Sequence, residues 1–513
     1  METLATSKTQ SWLSWFFRGT LILGFLILIG RLSELQIIKG GYFRSLAEGN
    51  RIRRVPIVAP RGRILARGGE VLVGNKKVEE SLGVLRDYTL GEKFAHVSGY
   101  LGEVNEKELG KINPLCPEKG PRKAGSLVGR AGLEQEYDCV LAGIDGEELV
   151  EVDTKGRKIR TLGKRKPIPG SDLKTSIHRG LQEKVSDVMN GKKGAVIITE
   201  VNGRVLALYS SPSFDPNLFV GKTNSEKISQ ILNDDNLSLF NRAIGGQFHP
   251  GSIFKPLVAI AALKEGKINK DYVFEDPGVI TIETPFGNFS YSNWYFNQYG
   301  KTEGKINLVR AIARSTDTFF YKLGESVGID KLVEWEKKFG LGEGTQIDLP
   351  GEIGGLVPSP EWKEKVKGEP WFLGNTYHVS IGQGYLSLTP VEINRAILAI
   401  ANGGKLCSLK VAEESDCKDL KTEEVISLVK EGMSGACSPG GTGFTFFDFE
   451  PQVACKTGTA ETNEDGKTHA WFTVFAPADF PEIVATVLIE RGGEGSKVAG
   501  PIAREIFDYW FHP

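Results

Sequence analysis

Three short motifs stand in order along this chain of 513 residues, and they constrain its fold more than any other feature: Ser252-Ile-Phe-Lys255, Ser315-Thr-Asp317 and Lys456-Thr-Gly-Thr459. Pro250-Gly251 is a turn, so Ser252 opens a helix with Lys255 one turn on, on the same face. Pro256 fits there because the first-turn N–H groups of a helix lack intrahelical partners. A serine needs a base to attack a carbonyl. A lysine serves if burial or a second cation lowers its pKa. Ser315 precedes a helical pattern, Thr318-Phe-Phe-Tyr-Lys-Leu323, and is expected to cap that helix with its hydroxyl toward Lys255, as a proton relay. Asp317 is expected either to hold a lysine or to orient a substrate amide. Lys456, Thr457 and Thr459 lie on an expected strand and offer a cation and two hydroxyls to a carboxylate. Gly458 is expected to let substrate approach the backbone closely. The N–H groups of Ser252 and Thr459 would form an oxyanion hole. Each motif alone has a plain structural reading: a cap beside a solvated lysine, another cap, a solvated edge strand. Their order and contexts favour one acyl-transfer site.

Hydrophobic patterning places these motifs on a frame. Gly194–Val201 and Arg204–Tyr209 read as a hairpin about Asn202-Gly203. Helical patterns cover 181–189, 254–264, 306–327, 329–339, 388–402 and 502–511, and late strands cover 453–456, 470–475 and 483–490. The expected domain is α+β, with its first and last strands in one antiparallel sheet flanked by helices. Residues 39–185 carry no nucleophile–base constellation and read as an elongated spacer. Within it, 61–75 reads as strand–turn–strand and 132–141 as a helix.

The N-terminus is different. Trp12 to Ile38 is apolar around Leu21–Ile29, interrupted by Arg18 and Arg31. The central run is shorter than the ~20 residues a bilayer needs, but either flank makes it long enough. A cleaved signal peptide competes, yet Arg31-Leu-Ser-Glu-Leu-Gln36 lacks a small-x-small cleavage site. The expectation is an uncleaved anchor over 15–38, a cytoplasmic tail over 1–14 that includes Lys8, and the remainder outside. A formal net charge of −1 argues against nucleic-acid binding. Six cysteines permit disulfides, and Cys407/Cys417 and Cys437/Cys455 are the pairs closest in sequence; buried free thiols are the favoured expectation. Between Pro256 and Arg314 there is no Cys or His, so neither a metal nor a cofactor is expected beside the first two motifs.

The three motifs resemble those of the class B penicillin-binding proteins, monofunctional D,D-transpeptidases of bacterial walls. Further matches are Asn241-Arg-Ala, Asn293-Trp, Thr345–Glu352, Ile381–Gly384, Thr389-Pro, Ala401–Gly404 and His469–Phe472, with Arg61-Gly-Arg and Gly132-Leu-Glu in the spacer. Asp317–Tyr321 followed by Gly328-Ile-Asp resembles the elongation branch. Ile253 stands where the family usually has Thr, Asp317 where it usually has Asn, and Ala66 where the spacer signature has Asp. The resemblance implies a pedestal over 39–185 and a β-lactamase/transpeptidase-like domain over 186–513. It implies catalysis by Ser252, Lys255 and Ser315, and substrate binding by Asp317, Lys456, Thr457, Gly458 and Thr459. Stem peptides of peptidoglycan, β-lactams, a SEDS-family glycosyltransferase and other elongation-complex membrane proteins are the implied partners, at the bacterial inner membrane. A bifunctional class A enzyme would need a glycosyltransferase domain before position 190, a β-lactamase would lack anchor and pedestal, and a β-lactam sensor would have several spans. A D,D-carboxypeptidase differs only in using water as acceptor. A non-catalytic scaffold would not need all three motifs intact.

Overall fold

The computed structural model describes residues 10–77, 84–221, 225–285, 287–462, 464 and 466–513; Lys8 and the first nine residues of the expected tail lie outside these. The chain divides into two compact units: residues 1–59 with 144–168, and 60–143 with 169–513.

The first unit begins with α1 (Gln10–Ser33), which runs into a π turn at Glu34–Ile38. The apolar stretch Trp12–Ile38 spans 27 residues. At about 1.5 Å per residue it is roughly 40 Å long, more than the ~30 Å hydrocarbon core. Its large side chains, Leu21 to Leu23 and Phe25 to Ile29 among them, face outward. That suits a helix whose backbone bonds are internal and whose surroundings are lipid. Arg31 and Lys39 close its end on Glu34. After α2 (Gly40–Arg51), strand β1 (Ile52–Ile57) pairs antiparallel with β2 (Gly146–Val152), which pairs antiparallel with β3 (Lys158–Arg165).

The second unit is built on a five-stranded antiparallel sheet. Its strands are β4 (Gly194–Glu200), β5 (Val205–Ser211), β6 (Ala454–Glu461), β7 (Thr468–Ala476) and β8 (Ile483–Ile489), in the order β5-β4-β8-β7-β6. The first hairpin and the last strands therefore share a sheet, as expected. The reason is visible in the pleat. Val196 and Ile198 face one core cluster with Leu181, Val185, Phe472, Ile502 and Phe507. Ala195 and Ile197 face the other, with Trp471, Phe475, Val484 and Leu488. A strand covered on both faces needs a continuous apolar run, which is what 195–198 is. Helices α3 (Arg179–Val188) and, at the end of the chain, Gly495–Phe511 cover the first face. Helix α4 (Lys255–Lys264) belongs to the second core cluster, and α5 (Pro390–Ala401), among others, covers that second face of the sheet. Thr389 and Glu392 form a reciprocal capping box at the start of α5, which explains the Thr389-Pro signature. Arg61 bridges Glu134 and Asp138 at 2.9 Å each, and buried Arg86 reaches Glu134 at 2.6 Å, so the Arg61-Gly-Arg and Gly132-Leu-Glu signatures meet in one ionic cluster.

Three local expectations are corrected. The helical pattern over 306–327 is two helices, Leu308–Arg314 and Asp317–Val327, separated by Ser315 in the left-handed region at φ 58°. The pattern over 132–141 is two short helices, Gly132–Glu136 and Asp138–Leu141. The cysteines are not free thiols: Cys116–Cys139, Cys407–Cys417 and Cys437–Cys455 are disulfides. The two pairs nearest in sequence do bond, and Cys116–Cys139 joins across 23 residues that sequence proximity did not single out.

Candidate active site

Ser252 lies in a 3-10 turn, Gly251–Phe254, that leads directly into α4. The turn packs on β6, the edge strand of the sheet that carries Lys456–Thr459. Gly251 has φ 58°, and a Cβ there would lie 3.0 Å from the Thr459 carbonyl oxygen, so only glycine combines that backbone with that approach. Its N–H donates to the Gly382 carbonyl at 2.8 Å, which is how the Ile381–Gly384 signature supports the nucleophile turn.

Gly458 also has a structural role that the sequence did not announce. A Cβ on it would meet Ile253 Cγ2 and Trp471 Cβ at 3.0 Å and the Pro250 carbonyl oxygen at 3.1 Å. Its missing side chain thus admits the serine turn. Gly458→Ala is expected to push the turn off the strand. We expect a stability loss of about 1–3 kcal/mol and slower acylation, checked by thermal melting beside a penicillin acylation rate. An unchanged melt and rate would show that the strand yields at no cost.

Lys255 and Lys456 are both fully buried. Lys255 Nζ donates to the Ser315 carbonyl at 2.8 Å, to Ser315 Oγ at 3.1 Å and to Asp317 Oδ1 at 2.7 Å. Lys456 Nζ donates to the same Ser315 hydroxyl at 2.8 Å and to its neighbour's carbonyl, Thr457, at 3.1 Å. Ser315 Oγ therefore bridges two lysines from distant parts of the chain. It does not cap the following helix, because the left-handed residue closes the preceding one and Thr316 takes the N-cap position. Burial is the largest influence on both amines and pushes both pKa values down. The Asp317 carboxylate opposes this at Lys255, and repulsion from Lys255 adds to it at Lys456, which lies well below the ordinary lysine range.

Asp317 is held from both sides. Oδ1 accepts from Lys255, and Oδ2 accepts from the Trp294 backbone N–H at 3.1 Å. Behind it stands Asp276, a residue that sequence reasoning missed. Burial works against its charge, but donors outweigh it and lower its pKa. They are Gly278 N–H at 2.9 Å, Glu303 N–H at 2.9 Å, Thr318 Oγ1 at 2.6 Å and Asn293 Nδ2 at 3.0 Å. This clamp fixes the bend that presents Ser315 and Asp317, and it gives Asn293-Trp a physical meaning. No local pattern announces Asp276, since Thr318 is 42 positions away.

The motifs open on a cleft of about 880 Å³ lined by Ser252, Ser315, Asp317, Thr457, Thr459 and Glu461 and by aromatic side chains at 289–299. Thr457 Oγ1 donates to Thr442 Oγ1 at 2.9 Å. The Cys437–Cys455 disulfide ties the segment carrying Thr442 to the residue beside Lys456. Among the described residues no group of three or more metal-ligating side chains occurs.

A serine on a helix turn, two buried lysines joined through a second serine, and an open edge strand define a serine acyl-transferase. Residues 193–508 match the penicillin binding protein transpeptidase domain, and residues 78–175 match the penicillin-binding protein dimerisation domain. The chain belongs to the penicillin-binding protein transpeptidases. It is 35% identical over 459 residues to the peptidoglycan D,D-transpeptidase MrdA of Haemophilus influenzae, covering 83% of this chain and 69% of that one. It superposes on Pseudomonas aeruginosa PBP2 in complex with WCK 5153 with TM-score 0.77 and 32% identity, over 90% of this chain and 97% of that one. It also superposes on a chain of a peptidoglycan synthase complex that coordinates polymerization and crosslinking, with TM-score 0.77 and 27% identity over 99% of each chain.

Proposed function

We propose that this peptidoglycan D,D-transpeptidase cross-links stem peptides during wall elongation, with Ser252, Lys255 and Ser315 as its catalytic residues. The observation that carries the reading is the Ser315 hydroxyl between Lys255 and Lys456, at the floor of a cleft that Ser252 also lines. Neutral Lys255 takes the Ser252 proton, and Ser252 Oγ attacks the penultimate D-alanine carbonyl. The N–H groups of Ser252 and Thr459 receive the oxyanion. The peptide C–N bond breaks, and the terminal D-alanine leaves as an amine protonated through Ser315. An amine of a neighbouring stem peptide then attacks the acyl-enzyme, forms the new amide and releases Ser252. Lys456, Thr457 and Thr459 hold the terminal carboxylate. Gly458 keeps the strand against the serine turn, and Asp317 holds Lys255 at the substrate's edge.

The domain reading is a cytoplasmic tail over 1–14, an anchor over 15–38, a pedestal over 39–185 and the transpeptidase domain over 186–513, with all but the first two outside the cytoplasm at the inner membrane. Three disulfides in the exported part favour an oxidising compartment. A SEDS-family glycosyltransferase is the proposed polymerising partner, engaged through anchor and pedestal.

The test is time-resolved intact mass of the detergent-solubilised full chain mixed with a penicillin. A long-lived adduct is the expected result. Rapid turnover would make the protein a β-lactam hydrolase, and a folded chain with no adduct would make it a scaffold.

A further inference from the structure

The basic residues that follow the apolar span have no part in the mechanism above. Residues 39–59 and 144–168 hold twelve lysines and arginines against six acids, a net charge of +6 in a chain whose total is −1. They fall in the first compact unit, with α1. Most acids of its sheet are already matched. Glu151 is buried between Arg51 and Arg160, and buried Glu148 takes Lys158 and Thr161 at 2.7 Å each. Glu147 stands opposite Arg165 in the ladder, and just beyond β2 Asp153 takes Arg157 at 2.7 Å. Cations therefore remain in excess on the flanking strands β1 and β3, whose residues are exposed almost throughout. Among the described residues, Arg53 and Arg54 of β1, Lys164 of β3, and Arg44, Lys155 and Lys166 in the adjoining segments are exposed and make no salt bridge.

Helix α2 adds an independent feature. Tyr42, Phe43 and Leu46 fall within an arc of about 100° on it. They are 64%, 45% and 45% exposed, and the Tyr42 and Phe43 rings lie 5.5 Å apart. Arg44 and Arg51, seven positions apart, share the other side of the helix. An exposed aromatic stripe backed by cations, directly after a membrane span, suits a helix lying in the bilayer interface. The posture matters for the strands. Twelve residues of helix are about 18 Å long, so an upright α2 would lift β1 beyond the ~8 Å reach of charge in physiological salt. Lying on its apolar side, α2 keeps the basic strands beside the headgroups. On the proposed orientation, these cations flank the exported end of the span, where the positive-inside rule disfavours them, so they call for a countercharge there. We propose that α2, β1 and β3 form a surface that binds anionic phospholipid headgroups of the leaflet from which the chain emerges, and so hold this unit on the bilayer. The inference rests on the proposed anchor. An acidic partner protein would satisfy the same cations, and the test separates the two.

The full chain is reconstituted alone into nanodiscs of phosphatidylcholine, or of an equal mixture with phosphatidylglycerol, and hydrogen exchange is read by mass spectrometry. Amides of 40–57 and 155–166 are expected to exchange about 5- to 10-fold more slowly in the anionic discs, because each cation near the surface adds to binding. The protection should fade as salt rises. Combining Arg53→Gln, Arg54→Gln, Lys164→Gln and Lys166→Gln should abolish it and leave penicillin acylation at the wild-type rate. If that variant fails to acylate, the salt dependence of the wild type carries the test. Equal exchange in the two discs, protection that survives high salt or the four substitutions, or protection that appears only when a membrane partner is reconstituted beside the chain would each overturn the proposal. A chain that enters the discs and shows no lipid dependence sinks this inference alone, whereas a chain that does not enter them sinks the anchor reading and this inference with it.

Discussion

Ser252→Ala leaves the protein folded and unable to form an adduct with a penicillin. The half-buried side chain contributes one hydroxyl to the cleft wall and no packing that the turn depends on, because Gly251, Ile253 and Phe254 hold the turn. Melting should move little, within the range of ordinary surface substitutions, about 0.5 kcal/mol. Acylation should fall by on the order of 10⁴–10⁶-fold, since no other group can supply the bond-forming electron pair. Intact mass reads both states at once. An adduct of equal yield on the variant would place the nucleophile elsewhere, and Ser315 would be the first residue to examine.

Lys255→Met should cost nearly as much in rate and far more in stability. The substitution keeps the length of the side chain but removes the ammonium that satisfies Asp317 Oδ1 and the Ser315 carbonyl. Breaking one half of a buried ion pair costs about 3–5 kcal/mol, so the melt should drop visibly. The pH profile distinguishes a base from a structural cation. Only neutral Lys255 can take the Ser252 proton, so wild-type acylation kcat/KM should rise with pH. Burial, partly opposed by Asp317, lowers its pKa, so the plateau should arrive below the ordinary 10.5 of a lysine. The same shift has a linkage consequence. Between the lowered folded pKa and the unfolded value, the unfolded chain binds more protons, so this lysine makes stability rise with pH there. Lys255→Met should remove both the rising limb of the rate and this alkaline gain. A variant that is merely slower, with the same pH dependence, would assign the base to Lys456 acting through Ser315.

Much of the fold could be read along the chain because the signals are local. The apolar run from Gly194 and the Asn202-Gly203 turn mark the first hairpin, the helical pattern over 388–402 marks a helix, and a 27-residue apolar stretch marks a long N-terminal helix. Helix 306–327 failed for a physical reason: its apolar periodicity continues across Ser315, while the backbone turns left-handed at that one residue. The Cys116–Cys139 disulfide was missed for another reason: that pairing depends on where folded segments cross, whereas Cys407/Cys417 and Cys437/Cys455 could be picked out by spacing.

The sequence by itself determined the reactive inventory: Ser252 and Lys255 one helical turn apart, a second serine, and a Lys-Thr-Gly-Thr strand. Helix and strand periods set such short-range relations, so they survive in one dimension. Only the tertiary structure decided that Ser315 Oγ lies between two lysines, that Asp276 clamps the bend beneath Asp317, and that Gly458 admits the serine turn. Each of these depends on contacts between segments tens to hundreds of residues apart. Their geometry is set by how the helices pack on the two faces of the sheet, and no local pattern encodes it.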